Sequence, residues 1–191
     1  GDGVDYQAFL GSNLSAIAVD TDERYRGTAS LRITVPRPGN PEGGWAGGTF
    51  TADVVRDLSG YDGLTFWAKA SKASTLDVVG LGNDNTGTSR YEAWRNSIPV
   101  TTAWTRHVIP IPLPAKLSSE QGLFYFAEGP EGSDGHQVWF DEVRFERVGT
   151  ISNPRPVMQP QTVNAFVGAT VEIEGTATAF NIEGTDQIIR H

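Results

Sequence analysis

The feature that most constrains this chain is an alternation of period two that runs through its first 148 positions. Successive side chains of a β-strand point to opposite faces, so short apolar/polar alternations closed by turn formers read as strands. Ser30–Val35 is the clearest, with Leu31, Ile33 and Val35 on one side. Leu64, Phe66 and Ala68 alternate in the same way with Thr65, Trp67 and Lys69. Further runs lie at 45–55, 76–81, 91–94, 104–109, 123–126 and 138–145. Between them stand turn-forming stretches such as 36–44 (PRPGNPEGG) and Asp57–Gly63. The spacing suits two packed sheets of about nine or ten strands. No helical period is present, and only Asp20–Arg26 (DTDERYR) has the makings of a brief coil. Pro110-Ile111-Pro112-Leu113-Pro114 lacks alternate N–H donors, so it belongs at an edge or a crossover between the sheets.

Composition narrows the chemistry. With no cysteine, neither disulfides nor thiolate metal sites are available. The formal charge of −8, from 23 acidic and 15 basic residues, argues against a nucleic-acid partner, which needs a basic face. No apolar run approaches the ~20 residues of a membrane span. The chain opens at Gly1 without a basic or apolar leader, so any secretion signal is expected to have been removed or to lie outside this sequence.

The texture changes after Gly149. Residues 149–161 form a linker, whose Ile151–Gln161 run holds three prolines and reads as extended. Residues 162–191 carry Val163, Phe166, Val171, Ile173, Phe180 and Ile182 in a pattern of three short strands. About 30 residues are too few for a sandwich of their own. Two readings stand: the opening of a second β-module, or extra strands packed on residues 1–148.

Three phrases carry a family resemblance. Tyr25-Arg26-Gly27-Thr28-Ala29-Ser30-Leu31 resembles the Y-x-G-x-x-S-L opening of jelly-roll carbohydrate-binding modules. Leu58-Ser59-Gly60-Tyr61-Asp62-Gly63-Leu64-Thr65-Phe66-Trp67-Ala68-Lys69 is similar to their L-x-x-Y-x-x-L-x-F-W-x-K strand. Val138-Trp139-Phe140-Asp141-Glu142-Val143 is similar to their closing hydrophobic-Asp-Asp/Glu-Val strand. They occur in the expected order, and the likeness is to the family 4, 11 and 22 type modules of bacterial glycanases. The tail phrase VNAFVGATVEIEGT resembles the first strands of bacterial Ig-like repeats. The resemblance implies an all-β fold over 1–148: a galactose-binding-like β-sandwich jelly-roll that binds polysaccharide and performs no chemistry. It implies a β-glucan or xylan-type ligand, a covalently linked glycoside hydrolase and Ig-like partner domains, a secreted or bacterial cell-surface location, and a monomer.

The resemblance also implies one structural calcium ion joining the N-terminal part of the chain to the last strand. Hard cations take six to eight oxygens, so carboxylates and carbonyls must converge from distant segments. The expected ligands are Asp5, Asp22 and Glu23 of the 20–23 loop, a carbonyl at Gly27, and above all Asp141. The alternative is a solvated turn at 20–23, with Asp141 capping a backbone N–H.

Sugar rings have apolar C–H faces and a rim of hydroxyls, so a binding surface needs aromatic platforms beside planar polar side chains. In jelly-rolls of this kind that surface is the concave outer face of one sheet. Trp45, with two glycines on either side, has no neighbouring bulk and suits an open ring; packing on a loop is the alternative. Arg90, Glu92 and Trp94 share one face by alternation, and Asn83 extends a polar floor unless it is only a turn residue. If Phe124 and Phe126 fill the core, Tyr125 faces outward and Glu128 falls on the core side unless the strand bulges. Trp67 is outward by pattern, on a face the sequence leaves open. Trp104 and Trp139 are assigned to core or sheet edge.

An enzyme of this fold would need two carboxylates at a fixed separation on one strand. No E-x-D-x-x-E arrangement occurs, Glu128 and Glu131 flank Gly129-Pro130, and neither His107 nor His136 sits beside a nucleophile elbow. The remaining alternative is a structural or adhesive spacer that keeps the jelly-roll and lacks the cleft.

Overall fold

A computed structural model describes residues 3–149. The expectations for 150–191, the Ig-like tail included, lie outside the described residues. Ten strands are present: β1 (Val4–Ala8), β2 (Ile17–Asp20), β3 (Ser30–Val35), β4 (Ala46–Arg56), β5 (Gly63–Ala70), β6 (Ser74–Leu81), β7 (Ala93–Val100), β8 (Thr105–Pro110), β9 (Glu120–Glu128) and β10 (His136–Glu146). They form two five-stranded sheets, in the orders β1-β4-β9-β6-β7 and β2-β3-β10-β5-β8, with every pairing antiparallel. Apart from one 3-10 turn at Pro114–Leu117, no helix occurs among the described residues, and none is long and apolar enough to cross a membrane. The all-β jelly-roll sandwich expected from the alternation is the fold observed.

The alternation drives the packing. Phe66 from β5 and Phe140 from β10 meet Phe124 and Phe126 from β9, with ring centroids 5.3–6.1 Å apart across the two sheets. Ile33, Leu64, Leu76, Ile98 and Ile109 are fully buried around them. Burying one such side chain contributes roughly 1.5–3 kcal/mol, so these inward faces set which way every outward residue points.

The proline-rich run behaves as its missing donors require. β8 is an edge strand ending at Pro110, which pairs with Gly63. Ile111 then donates its N–H to the Asp62 carbonyl at 2.9 Å, and the chain crosses to β9 in the other sheet. Asp20–Arg26 forms no helix; Asp20 ends β2 and the residues after it bend towards β3.

Candidate functional site

Because Phe124 and Phe126 point inward, Tyr125 points away from the core on the first sheet. Register then places Gln7, Thr49, Tyr125, Gly80 and Trp94 in one row across all five strands of that outer face. Gly47, Ala127, Val78 and Asn96 form the next row. Small residues in these rows make room for rings. A Cβ on Gly80 would sit 2.6 Å from the Tyr125 ring, and one on Gly47 would strike the Trp45 indole. Trp45 thus lies back over Gly47, half-buried, with Phe9 stacked beside it at 6.3 Å and 27°. Both readings of Trp45 hold in part: its ring is on the open face, and it also packs on the segment after β1. Trp94 is half-buried on the edge strand β7.

The opposite wall is polar. After β6 the chain turns at Gly82, whose φ of +90° and closeness to the 91–92 backbone, which an added Cβ would meet at 2.0–3.0 Å, exclude any larger residue. The 83–89 loop folds over the outer face, where Thr49 donates its hydroxyl to the Asn83 carbonyl at 2.6 Å and Asn85 reaches Gln7 at 3.4 Å. Asp84 anchors this loop, accepting from Thr86 Oγ1 at 2.6 Å and from Ser89 Oγ at 3.1 Å. Burial pushes the Asp84 carboxyl up, but these hydrogen bonds outweigh it and hold the group below its ordinary value. Asn83 is a turn residue, its Oδ1 accepting from the Asn85 N–H, and it also lines the groove.

Between the walls lies a groove of about 320 Å³, lined by Phe9, Asn83, Asn85, Gly87, Ser89 and Glu92. The alternation Tyr91 in, Glu92 out, Ala93 in, Trp94 out holds, so Glu92 and Trp94 share this face. Arg90 is exposed in the loop ahead of β7. Tyr125 is only 6% exposed, and burial raises its hydroxyl above the ordinary value, with the Glu92 charge adding to it. Burial raises the Glu92 carboxyl above its usual range; the Tyr125 hydroxyl opposes that and the Asp84 charge adds to it. Burial likewise raises Glu120, which takes the Gln121 and Gly122 N–H groups at 2.9 and 2.8 Å.

Five of the seven residues expected to contact sugar, Trp45, Asn83, Glu92, Trp94 and Tyr125, therefore come together on one face, and Arg90 lies at its margin. Trp67 does not join them. It stands on β5 in the second sheet, opposite Asp141 and Arg106, with Tyr25 stacked flat on its ring at 3.7 Å. Phe9, Asn85 and Ser89 also line the groove and were not singled out by the sequence reading. Phe9 directly follows β1, a strand too short and too exposed for its alternation to show. Glu128 falls on the core side, 2% exposed, accepting from the Asp77 N–H at 2.8 Å and lying 3.2 Å from His136 of the other sheet.

The expected calcium ligands are scattered. Asp5 stands on β1 in the first sheet, opposite Thr51, whereas Asp22, Glu23 and Gly27 belong to the β2–β3 loop and Asp141 to β10 of the second. Asp141 accepts the Tyr25 and Arg26 N–H groups on Oδ2 at 2.8 and 2.9 Å, and the Glu142 N–H on Oδ1 at 2.7 Å. Glu23 pairs with Lys69 at 2.7 Å. Neighbouring Asp20 takes the Asp22 and Glu23 N–H groups on Oδ1, and Trp139 Nε1 and Arg32 on Oδ2. An oxygen that already accepts two N–H bonds has no lone pair left for a hard cation. Donors converge on this corner where a calcium ion needs acceptors, and among the described residues no three His, Asp or Glu side chains are grouped to hold a metal. Asp141 caps backbone N–H groups here, as in the alternative reading, and its Oδ1 accepts only the Glu142 N–H.

Comparison with known proteins gives the fold and the family. Residues 3–147 match the sequence profile of carbohydrate binding domain 30. The chain is similar to the family 30 carbohydrate-binding module of cellulosomal cellulase Cel9D-Cel44B of Clostridium thermocellum, at 21% identity and a TM-score of 0.52 over 76% of this chain and 92% of that one. It is similar in fold to the family 11 module from Clostridium thermocellum in complex with a β-1,3-1,4-mixed-linked tetrasaccharide, at 11% identity and a TM-score of 0.52, covering 76% and 89%. No curated protein matches the chain. With a profile that spans most of its length and a two-sheet jelly-roll beneath it, the chain belongs to the carbohydrate binding domain 30 family.

Proposed function

We propose that the domain binds a neutral β-glucan or xylan-type chain in the groove of the first sheet, without cleaving it, and so holds an attached glycoside hydrolase on its substrate outside the cell. The observation that supports this best is the groove's lining: Phe9, with Trp45 stacked beside it, offers a ring on one side, and Asn83, Asn85, Ser89 and Glu92 offer hydroxyl-matching groups on the other. A pyranose needs both, an apolar face to desolvate and a rim of hydroxyls to satisfy. The row that carries Tyr125, Gly80 and Trp94 runs across the strands and leaves the Trp94 ring on the outer face of β7.

Affinity electrophoresis on gels containing soluble mixed-linkage β-glucan, xylan or no glycan tests the reading. The wild-type chain is expected to be retarded by at least one glycan, and Trp94→Ala to run as on the blank gel at unchanged melting temperature. Equal retardation of wild type and Trp94→Ala would remove this face from the binding site.

A further inference from the structure

The burial of Thr49 does not follow from its place in the register. It stands on β4 between Gln7 of β1 and Tyr125 of β9, on the outer face of the first sheet, yet it is 0% exposed. What meets it there is the 83–89 loop. The Gly82 N–H reaches the Gly122 carbonyl at 2.9 Å, and the loop then settles on β9 where Gly122 has no side chain. A Cβ on Gly122 would stand 2.5–2.7 Å from the Asn83 backbone. At this point Thr49 Oγ1 donates to the Asn83 carbonyl at 2.6 Å, with the Phe124 carbonyl farther off at 3.3 Å. Beyond it, Asn85 Nδ2 donates to Gln7 Oε1 at 3.4 Å.

The loop is also tied to itself. Asp84 accepts from Thr86 and Ser89, Asn83 Oδ1 takes the Asn85 N–H, and the Thr86 and Thr88 hydroxyls meet at 2.7 Å. Those bonds fix the loop's shape and leave open how high it rides above the sheet. Its height is set by the Gly82 root, by Thr49 and by Gln7. Height matters because Asn83, Asn85, Gly87 and Ser89 are four of the six residues that line the groove. A wall that must be ordered when ligand arrives costs affinity, and a wall already in place does not.

We propose that Thr49 is the positioning residue of this groove: its buried hydroxyl, with Gln7 as a weaker outer tether, holds the 83–89 loop as a preformed polar wall. The proposal rests on the reading that the groove binds glycan and adds to it the residue that shapes the groove before ligand arrives. Thr49 acts through the Asn83 carbonyl, on the loop backbone rather than on the sugar. With the hydroxyl removed, that carbonyl loses its donor and the loop is free to lift from the sheet.

Thr49→Val keeps the shape of the side chain and removes the donor, whereas Thr49→Ser keeps the donor and removes the methyl group. Calorimetry with soluble mixed-linkage β-glucan and xylan, together with amide hydrogen exchange on the full chain, separates the two contributions. Thr49→Val is expected to bind about tenfold more weakly, the worth of one hydrogen bond, with a less favourable binding entropy. Its amides at 84–89 are expected to exchange faster while those of β3 and β10 keep wild-type protection. Thr49→Ser is expected to restore both affinity and loop protection. A role limited to packing predicts the reverse, with Thr49→Val close to wild type and Thr49→Ser impaired. Gln7→Ala is expected to move both readouts in the direction of Thr49→Val by a smaller amount, and it decides the matter should Thr49→Val fail to fold. A wild-type chain that binds no glycan sinks the proposed function and this inference with it. A wild-type chain that binds, with a Thr49→Val variant that matches it in affinity and loop exchange, sinks this inference alone.

Discussion

At the residue scale, the two glycines under the rings matter as much as the rings themselves. Trp45 is a platform only because Gly47 has no side chain; its indole occupies the space a Cβ would take. Gly47→Ala is therefore expected to displace Trp45 and weaken glycan binding several-fold, and also to lower the melting temperature, because the added Cβ would stand 2.8 Å from the Phe126 carbonyl of β9. Trp94 is the sharper test. It stands in the open row, half-buried on an edge strand, so Trp94→Ala removes stacking area without opening the core. A loss of at least tenfold in affinity, about 1.4 kcal/mol, is expected by calorimetry, with the melting temperature within a few degrees of wild type. Most of this was legible beforehand: the parity of Arg90, Glu92 and Trp94 follows from buried Tyr91 and Ala93, and Tyr125 follows from Phe124 and Phe126. Trp67 shows the limit of parity, which says that a residue points outward and is silent about which of two sheets carries it.

At the element scale, the β2–β3 loop shows how carboxylates and hydrogen-bond donors can fasten a jelly-roll corner. Asp141 leaves β10 at a bulge, where the register shifts between Asp141 and Arg144 and Glu142 takes a φ of +51°. That irregularity aims its carboxylate at the Tyr25 and Arg26 N–H groups, while Asp20 takes Trp139 Nε1 at 2.9 Å and Tyr25 stacks on Trp67. The sequence reading found the right acidic residues and expected them to hold an ion. It could not see where the backbone N–H groups pointed, because that depends on how a nine-residue loop folds back over a strand it does not adjoin in sequence. β1 and β2 were missed for a related reason: at five and four residues, on the sheet edges, they are too short and too exposed for alternation to show. Two outcomes are expected. Asp141→Ala should destabilise the fold by about 1–3 kcal/mol in chemical denaturation, as N–H groups lose their acceptor. Neither EDTA nor added calcium should shift the wild-type melt; a rise of several degrees with calcium would reinstate a bound ion. The acid limb of stability should also report this corner. Hydrogen bonds from Trp139 and the Glu23 and Asp22 N–H groups lower Asp20 to about 2. Its stabilising effect is present above the unfolded carboxylate value of ~3.9 and fades as pH falls towards about 2, so Asp20→Asn should flatten the acid side of a melting-temperature profile.

At the scale of the whole molecule, the groove depends on the sandwich only through one sheet, and both five-stranded sheets lie within the described residues. The aromatic cluster of Phe66, Phe124, Phe126 and Phe140 joins β5 and β10 to β9, and the buried Glu128–His136 contact ties β9 to β10 near one end of those strands. Both walls of the binding face lie between Phe9 and Trp94, and Asp62 receives the last described N–H groups, of Val148 and Gly149, at 2.6 and 3.3 Å. A chain ending at Gly149 is therefore expected to melt cooperatively at the temperature of the full 191 residues and to bind glycan with the same affinity. Calorimetry and affinity gels on the two lengths measure both quantities. Unchanged melting with tighter binding would mean that residues 150–191 reach over the first sheet and compete for its groove. A melt lowered by several degrees would mean that they add strands to the sandwich. Equality in both leaves the first sheet's outer face as the whole of the binding surface, with the tail an attachment to whatever the module serves.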